Sequence, residues 1–338
     1  MNRKQKISEC QVGCLILVLA CLVLSGCGPT AFLVQPVPAE RKLTETQIDR
    51  DEGFFITDKI AVIDVDGFLA NRSKLGFMSG GENAVSMFVE KLDKAKKDPD
   101  VKAVVLRINS HGGTVAASDT MHHALLEFRQ KTHKPVVTCV LDTAASGAYL
   151  LACGSNGIVA QPGSVTGSIG TVLQTVSFAG TMEKLGIKAV AIKSGKLKDI
   201  GSPLRDMTDE EREVLQGIIE QFYEQFVSAV DSGRPGLNES QVRELADGRV
   251  FTGTEAVKLG LVDKLGFPSD AIKWAKELAG VQRARVVIYH RPFGYKPNVY
   301  SSEASGGDLS GALVNIELPD WLKAEGCEFL YVWQPEAD

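Results

Sequence analysis

Ser146 lies in Ala144-Ala145-Ser146-Gly147-Ala148-Tyr149, directly after the apolar run Pro135 to Leu141. That position predicts a serine at the first turn of a short helix, Ser146 to Cys153. Small neighbours let a carbonyl group approach the hydroxyl, and a helix N-terminus favours the negative charge of an alkoxide. The same placement also suits a plain N-cap, whose oxygen accepts a backbone N–H. A second feature, Asn109-Ser110-His111-Gly112-Gly113-Thr114, follows the run Val101 to Ile108 and precedes a helical segment. Its paired glycines can turn backbone N–H groups toward a developing oxyanion, or can serve only the conformation of a strand-to-helix turn.

A serine nucleophile needs a base. The five histidines are His111, His122, His123, His133 and His290, so none falls between Ser146 and residue 289. The stretch after the serine helix reads Thr166-Gly167-Ser168-Ile169-Gly170 and offers no imidazole. His122 and His123 sit among apolar residues on a predicted helix, as structural or solvated groups. Lysine remains, and a lysine base must be neutral, which takes burial and a pKa about 3 units below the free value near 10.4. Lys193, Lys196 and Lys198 all fall in Ile192-Lys193-Ser194-Gly195-Lys196-Leu197-Lys198-Asp199. Alone, such a charge run reads as a solvated loop.

The elements that must hold these residues follow an α/β rhythm. Predicted strands at Ile60 to Val65, Val101 to Ile108, Pro135 to Leu141, Ile158 to Ala160, Val165 to Leu173, Ala189 to Lys193 and Ala284 to His290 alternate with segments of 3.6-residue period. The helices are expected at Glu82 to Lys97, Val115 to Lys131, Thr181 to Leu185 and Asp209 to Val230, with shorter ones at Glu239 to Ala246, Thr254 to Leu259 and Asp270 to Leu278. Thr208 and Glu211 form a capping box at the start of the Asp209 helix, and Val214, Leu215, Ile218, Ile219, Phe222 and Phe226 mark its buried stripe. This pattern implies a largely parallel sheet between helices.

Four motifs in this order, from Asn109 to Thr114, from Ala144 to Tyr149, from Thr166 to Gly170 and from Ser194 to Pro203, resemble the signal peptide peptidase A family of bacterial membrane-associated serine peptidases. The resemblance runs from about Lys59 to about His290. It implies an α/β fold of the Clp protease and crotonase type, with parallel strands and flanking helices. It also implies Ser146 as nucleophile, Lys198 as general base, Gly112 and Gly113 as oxyanion amides and Ser168 as the hydroxyl that positions the lysine. No cofactor or metal is implied. Short, single-copy relatives assemble into a ring, an octamer, in which serine and lysine come from adjacent subunits; this chain is similar to that short form. It departs from the family pattern at His111, where proline is usual, and at Ala148, where a second glycine is usual.

Residues 1–26 read as an export signal: Arg3, Lys4 and Lys6 precede the apolar stretch Val12 to Leu24. The stretch ends in Leu24-Ser25-Gly26-Cys27, which resembles a lipoprotein cleavage box with Cys27 as the lipidated residue, or else belongs to a plain secretory signal. Residues 27–57 are then a lipidated tether, 58–290 the peptidase domain and 291–338 a C-terminal extension. Lipid on Cys27 would anchor the protein at the cell envelope, on the outer face of the cytoplasmic membrane or at the outer membrane. The extension ends in an apolar patch, Phe329-Leu330-Tyr331-Val332-Trp333, read as a terminal strand docking on its own domain or as a partner-binding segment. Cys139, Cys153 and Cys327 lack metal-site or disulfide spacing, and the first two read as buried thiols.

The 338 residues are 44% hydrophobic and 23% charged with a net charge of −5, which excludes a nucleic-acid binder with a basic face. The expected activity is hydrolysis of apolar peptides, such as signal-peptide remnants, with small side chains near the cut. Two rivals remain: an inactive lipoprotein scaffold of the same fold, and a crotonase-type acyl-CoA enzyme. The second usually needs glutamates, and none occurs between Phe128 and Met182.

Overall fold

Residues 42–71, 73–75, 80–291 and 329–333 are described by the computed structural model. The described chain starts with β1 (Thr44–Arg50), β2 (Lys59–Asp66), a short pair of β3 (Ser73–Leu75) and β4 (Gly80–Asn83), and helix α1 (Ala84–Lys97). Next come β5 (Val101–Ser110), β6 (Gly112–Thr114), α2 (Val115–Thr132), β7 (Val136–Ala145), α3 (Gly147–Cys153), β8 (Gly157–Ala160), β9 (Val165–Gly167) and β10 (Val172–Leu173). The remainder supplies α4 (Ala179–Lys184), α5 (Asp209–Gly233), α6 (Glu239–Leu245), β11 (Val250–Thr252), α7 (Gly253–Lys258), β12 (Lys264–Leu265), α8 (Pro268–Leu278) and β13 (Arg285–His290). β14 (Phe329–Val332) comes from the C-terminal segment.

The main sheet has the order β1-β13-β2-β5-β7-β8-β12, with β9 beside the end of β7 and β11 beside β9. Neighbours from β13 to β12 are parallel, and β1 closes the edge antiparallel to β13. Parallel strands covered on both faces need apolar residues at consecutive positions. Ala61, Ile63, Val104, Leu106, Val136 and Val140 accordingly enter the core under α1, α2 and α3, while Ile60, Val62, Ala103, Val105, Val137 and Cys139 pack under α8. The fold is therefore the expected α/β type, a mostly parallel sheet with flanking helices.

Three sequence expectations change. Thr44–Arg50 was expected in the tether and instead forms β1, so the folded body begins before Lys59. Edge strands show one exposed side, and Thr-Glu-Thr-Gln-Ile-Asp-Arg carries almost no apolar alternation to announce a strand. Ala189 to Lys193 makes no strand: Val190 and Ile192 are fully exposed, and no neighbouring strand completes them. Val165 to Leu173 is broken into β9 and β10 by Ser168, whose φ is 50°. The capping box on α5 forms as expected, with Thr208 Oγ1 accepting from Glu211 N and Glu211 Oε2 accepting from Thr208 N. Of the predicted α5 stripe only Phe226 is deeply buried, joined by Val227 and Val230 outside the stripe, while Val214 is exposed. The signal segment, Cys27 and Cys327 lie outside the described residues.

β2 and β5 are also joined by a charge pair. Asp64 and Arg107 face one another in the ladder, and Arg107 donates from Nε and Nη2 to the two Asp64 oxygens at 2.6 and 2.7 Å. Both side chains are almost completely buried. Breaking such a pair strands a charge in the interior. Asp64→Ala is expected to lower unfolding free energy by about 3–5 kcal/mol, read as a lower urea midpoint at unchanged slope.

Candidate active site

β5 and β7 are adjacent and parallel, so the loops leaving their carboxyl ends lie side by side. β5 delivers the glycine turn and β7 delivers Ser146. Ser146 has φ 54° and ψ −121°, a conformation that a non-glycine residue holds at a cost of about 1–3 kcal/mol. Two hydrogen bonds enforce it, from Ser146 N to Gly167 O at 2.8 Å and from Leu150 N to Ser146 O at 2.9 Å. The residue occupies the N-cap position of α3 yet makes no side-chain cap bond. Its Oγ is buried and has no hydrogen-bond partner among the described residues. A hydroxyl used for capping would have a partner, so the N-cap reading of this side chain does not hold.

The surroundings leave no room for larger residues. Ala144, Ala145 and Ala148 are fully buried, and a Cβ on Gly147 would meet Ser118 Oγ at 2.1 Å. Tyr149 fixes α3 from below by donating its hydroxyl to Leu261 O at 2.8 Å.

The glycine turn is pinned along one edge. Ser110 Oγ donates to Gly67 O at 2.5 Å and accepts from Gly112 N at 3.1 Å, Leu69 N donates to Gly112 O at 2.9 Å, and Thr114 N donates to Leu69 O at 2.8 Å. Gly112 N–H, expected as an oxyanion donor, is therefore already engaged by Ser110. What Gly112 contributes is the absence of a side chain at φ 101°, where a Cβ would lie 2.9 Å from Gly147 N. Gly113 N–H points to the other edge, toward β14, and Gly147 N–H is the first amide of α3, which has no intrahelical acceptor. Of the glycine amides at this turn, Gly112 N–H is the one that Ser110 takes, a bond that the glycine pair alone does not announce.

β14 docks on this turn. It pairs antiparallel with β6, placing Leu330, Tyr331 and Val332 opposite Thr114, Gly113 and Gly112, and with β10 on its other side. The docking-strand reading of the C-terminal patch is therefore the correct one. His111, the residue that replaces the usual proline, stacks on Trp333 with ring centroids 5.4 Å apart.

Ser168 directly follows β9, whose Gly167 pairs with Ala145 next to the serine; it is buried, and its N–H donates to Arg249 O at 2.8 Å. Lys198 sits elsewhere. It lies in a series of turns after Gly195 and is exposed. Lys193 bonds Asp199 and Lys196 bonds Glu210, whereas Lys198 has no ion pair among the described residues. Arg205 clamps this segment to α5, donating from Nε to Asp199 Oδ2 at 2.9 Å and from Nη1 to Glu211 Oε2 at 2.8 Å. Those bonds hold both carboxyl groups well below the usual carboxylate range. Within one chain, then, the structure gathers Ser146, Gly113, Gly147 and Ser168 and leaves Lys198 on an open surface. Cys139 and Cys153 are inert by comparison, as burial pushes both thiols up to about 12.

The strained serine at a helix start and the glycine turn beside it are carried on the parallel strands of an α/β fold of the Clp type. Residues 128–282 match the Peptidase family S49. The chain is 36% identical over 281 residues to "Putative protease MJ0651" of Methanocaldococcus jannaschii, covering 81% of this chain and 85% of that one. It is 35% identical over 231 residues to "Putative signal peptide peptidase SppA" of Enterococcus faecium, covering 68% and 67%. It is 30% identical over 276 residues to "Serine protease SPPA, chloroplastic" of Arabidopsis thaliana, covering 79% of this chain and 40% of the relative. The chain belongs to peptidase family S49, the serine peptidases related to SppA and protease 4.

The crowding around Gly147 gives a direct test of the serine turn. Gly147→Ala is expected to destabilise the protein by about 1–3 kcal/mol through overpacking against Ser118. Part of that loss should return in the Gly147→Ala/Ser118→Ala double variant, measured by chemical unfolding of all four members of the cycle.

Proposed function

We propose that the chain is a membrane-anchored serine endopeptidase that cleaves apolar peptides, such as signal-peptide remnants, with a Ser146–Lys198 dyad completed between neighbouring subunits of a homo-oligomeric ring. The observation that carries this reading is the division of the site: a buried, unpartnered Ser146 hydroxyl and an exposed Lys198 with no ion pair. The segment bearing Lys198 also exposes Val176, Phe178, Leu185, Ile187, Val190 and Ile192. Large apolar side chains exposed in this number on one segment suit an interaction site, and a second copy of the chain would cover them while bringing in its lysine.

The chemistry is acyl transfer. Neutral Lys198 of one subunit takes the proton of Ser146 in the next, and Ser168 Oγ orients the amine. The alkoxide attacks the scissile carbonyl, whose oxyanion receives the Gly113 and Gly147 N–H groups. Lys198 then protonates the leaving amine, and a water activated by the same lysine releases the acyl group from Ser146. Lysine is favoured over histidine because His111 is stacked on Trp333 and His122 lies against Gly154, at the opposite end of α3 from Ser146. Anchoring in this reading falls to lipid on Cys27.

Complementation tests both the dyad and its division. Ser146→Ala and Lys198→Ala are each expected to abolish hydrolysis of a fluorogenic apolar peptide. Co-assembled at equal amounts, the two inactive variants should recover about a quarter of parental activity, because each intact site draws its serine from one variant and its lysine from the other. Recovery of nothing from correctly assembled mixtures would place both residues in one chain, and full activity in either single variant would remove it from the mechanism.

A further inference from the structure

We propose that the loop between β1 and β2, tipped by Phe54 and Phe55, is a second membrane contact: the two rings enter the surface of an anionic bilayer, and Arg50, Arg283 and Arg285 meet its phosphates. The inference rests on the lipid-anchored reading and adds to it the part of the body that touches the membrane.

The tip packs on nothing that would explain its residues. Phe54 is 92% exposed and Phe55 97%. Phe55 has φ 60°, in the left-handed region where a bulky side chain is an outlier. Strain of this kind persists only where the surroundings enforce it. Here the base of the loop does so. Asp51 N donates to Ala284 O at 3.2 Å, Asp51 Oδ2 accepts from Ala284 N at 2.8 Å, and Lys276 Nζ donates to both Asp51 oxygens at 2.9 Å. On the other side of the tip, Arg285 N donates to Asp58 O at 2.8 Å. The loop is thus fixed to α8 and to the start of β13 while its two rings are held out in solvent.

Three guanidinium groups surround the tip. Arg50 Nη2 donates to Gly53 O at 2.8 Å, Arg285 Nη2 donates to Thr57 O at 3.3 Å, and a Cβ on Gly53 would meet Arg283 Nη1 at 2.9 Å. Of the nearby carboxylates, Asp51 is bound by Lys276 and Asp58 lies 3.6 Å from Lys102, so Asp49 and Glu52 are the ones left to oppose three arginines. Aromatic rings at headgroup depth, with cations beside them at phosphate level, make a membrane-interface contact.

The size of the tip selects the bilayer over a folded partner. Two phenylalanine side chains offer about 300–500 Å², and a symmetric pair of tips about twice that, below the roughly 1,200 Å² of a stable interface between folded proteins. A bilayer needs less area from a body already tethered to it, because the tether makes the second contact intramolecular. The reach is sufficient. β1 runs antiparallel to β13 over about 24 Å, which puts the loop at the amino ends of the parallel strands. Residues 28–42 can span about 50 Å when extended, so lipid on Cys27 and the two rings can enter the same leaflet. Docked in this way, the body holds Ser146, at the carboxyl end of β7, away from the lipid surface.

Fluorescence quenching tests this on the full-length protein, reconstituted through its own anchor into vesicles of phosphatidylethanolamine and phosphatidylglycerol with brominated acyl chains. With the parent's emission subtracted, Phe54→Trp is expected to be quenched about 2–4-fold more than Leu126→Trp on the exposed side of α2, and less when phosphatidylcholine replaces phosphatidylglycerol. Adding Arg50→Gln and Arg283→Gln to Phe54→Trp should lower the quenching toward the Leu126→Trp level while the urea midpoint holds. If the parent floats with the vesicles but Phe54→Trp is quenched no more than Leu126→Trp, or is indifferent to phosphatidylglycerol, the inference falls and the anchored reading stands. A blue-shifted, unquenched Phe54→Trp emission would place the loop between copies of the chain and overturn the inference as well. If the parent does not float, both fall.

Discussion

The bond from Ser146 N to Gly167 O joins the two halves of the catalytic end of the sheet. It forms where β7 ends and β9 runs alongside it, and it holds Ser146 in a backbone conformation that a serine does not adopt unaided. The strain has a use. With the backbone turned this way, α3 starts one residue later, its first amide faces the glycine turn, and the hydroxyl is left without the cap bond that would satisfy it. Tight packing of alanines and glycines around the turn is the condition for this arrangement, because any larger side chain would compete for the space a substrate carbonyl needs. Stability is given up locally and recovered in the two apolar cores on either face of the sheet.

Much of this was legible in the residues themselves. Strands buried on both faces write long apolar runs, so β2, β5 and β7 stood out, and the features with chemical potential fell at their carboxyl ends. The capping box read at Thr208 and Glu211 forms as expected. What was not legible depended on contacts between distant segments. β1 is an exposed edge strand whose residues would be equally at home in a linker. Ala189 to Lys193 has strand-like residues, but a strand needs a neighbour and the single chain provides none. That the Gly112 amide is occupied follows from Ser110 taking it, a bond between residues two apart that no periodicity reveals.

The segment between β10 and α5 is the counterpart of the ordered serine turn. It carries its own internal clamp, Arg205 between Asp199 and Glu211, while exposing most of its apolar side chains. An element that is held in shape but not packed is prepared for an external surface. The N-terminal half of α5 behaves the same way, with a predicted stripe that stays partly open. The proposed ring would complete such a site by setting this segment against a neighbouring copy.

β14 is paired on both sides, to β6 along one edge and to β10 along the other. Without it, those two short strands would present facing rows of backbone groups across a slot one strand wide. Such a slot measures the state of a polypeptide before it measures its sequence. A helix or a packed domain has already used its N–H and C=O groups internally, and only an extended stretch has both edges to give. A groove with two such edges would admit an extended chain and refuse a folded one.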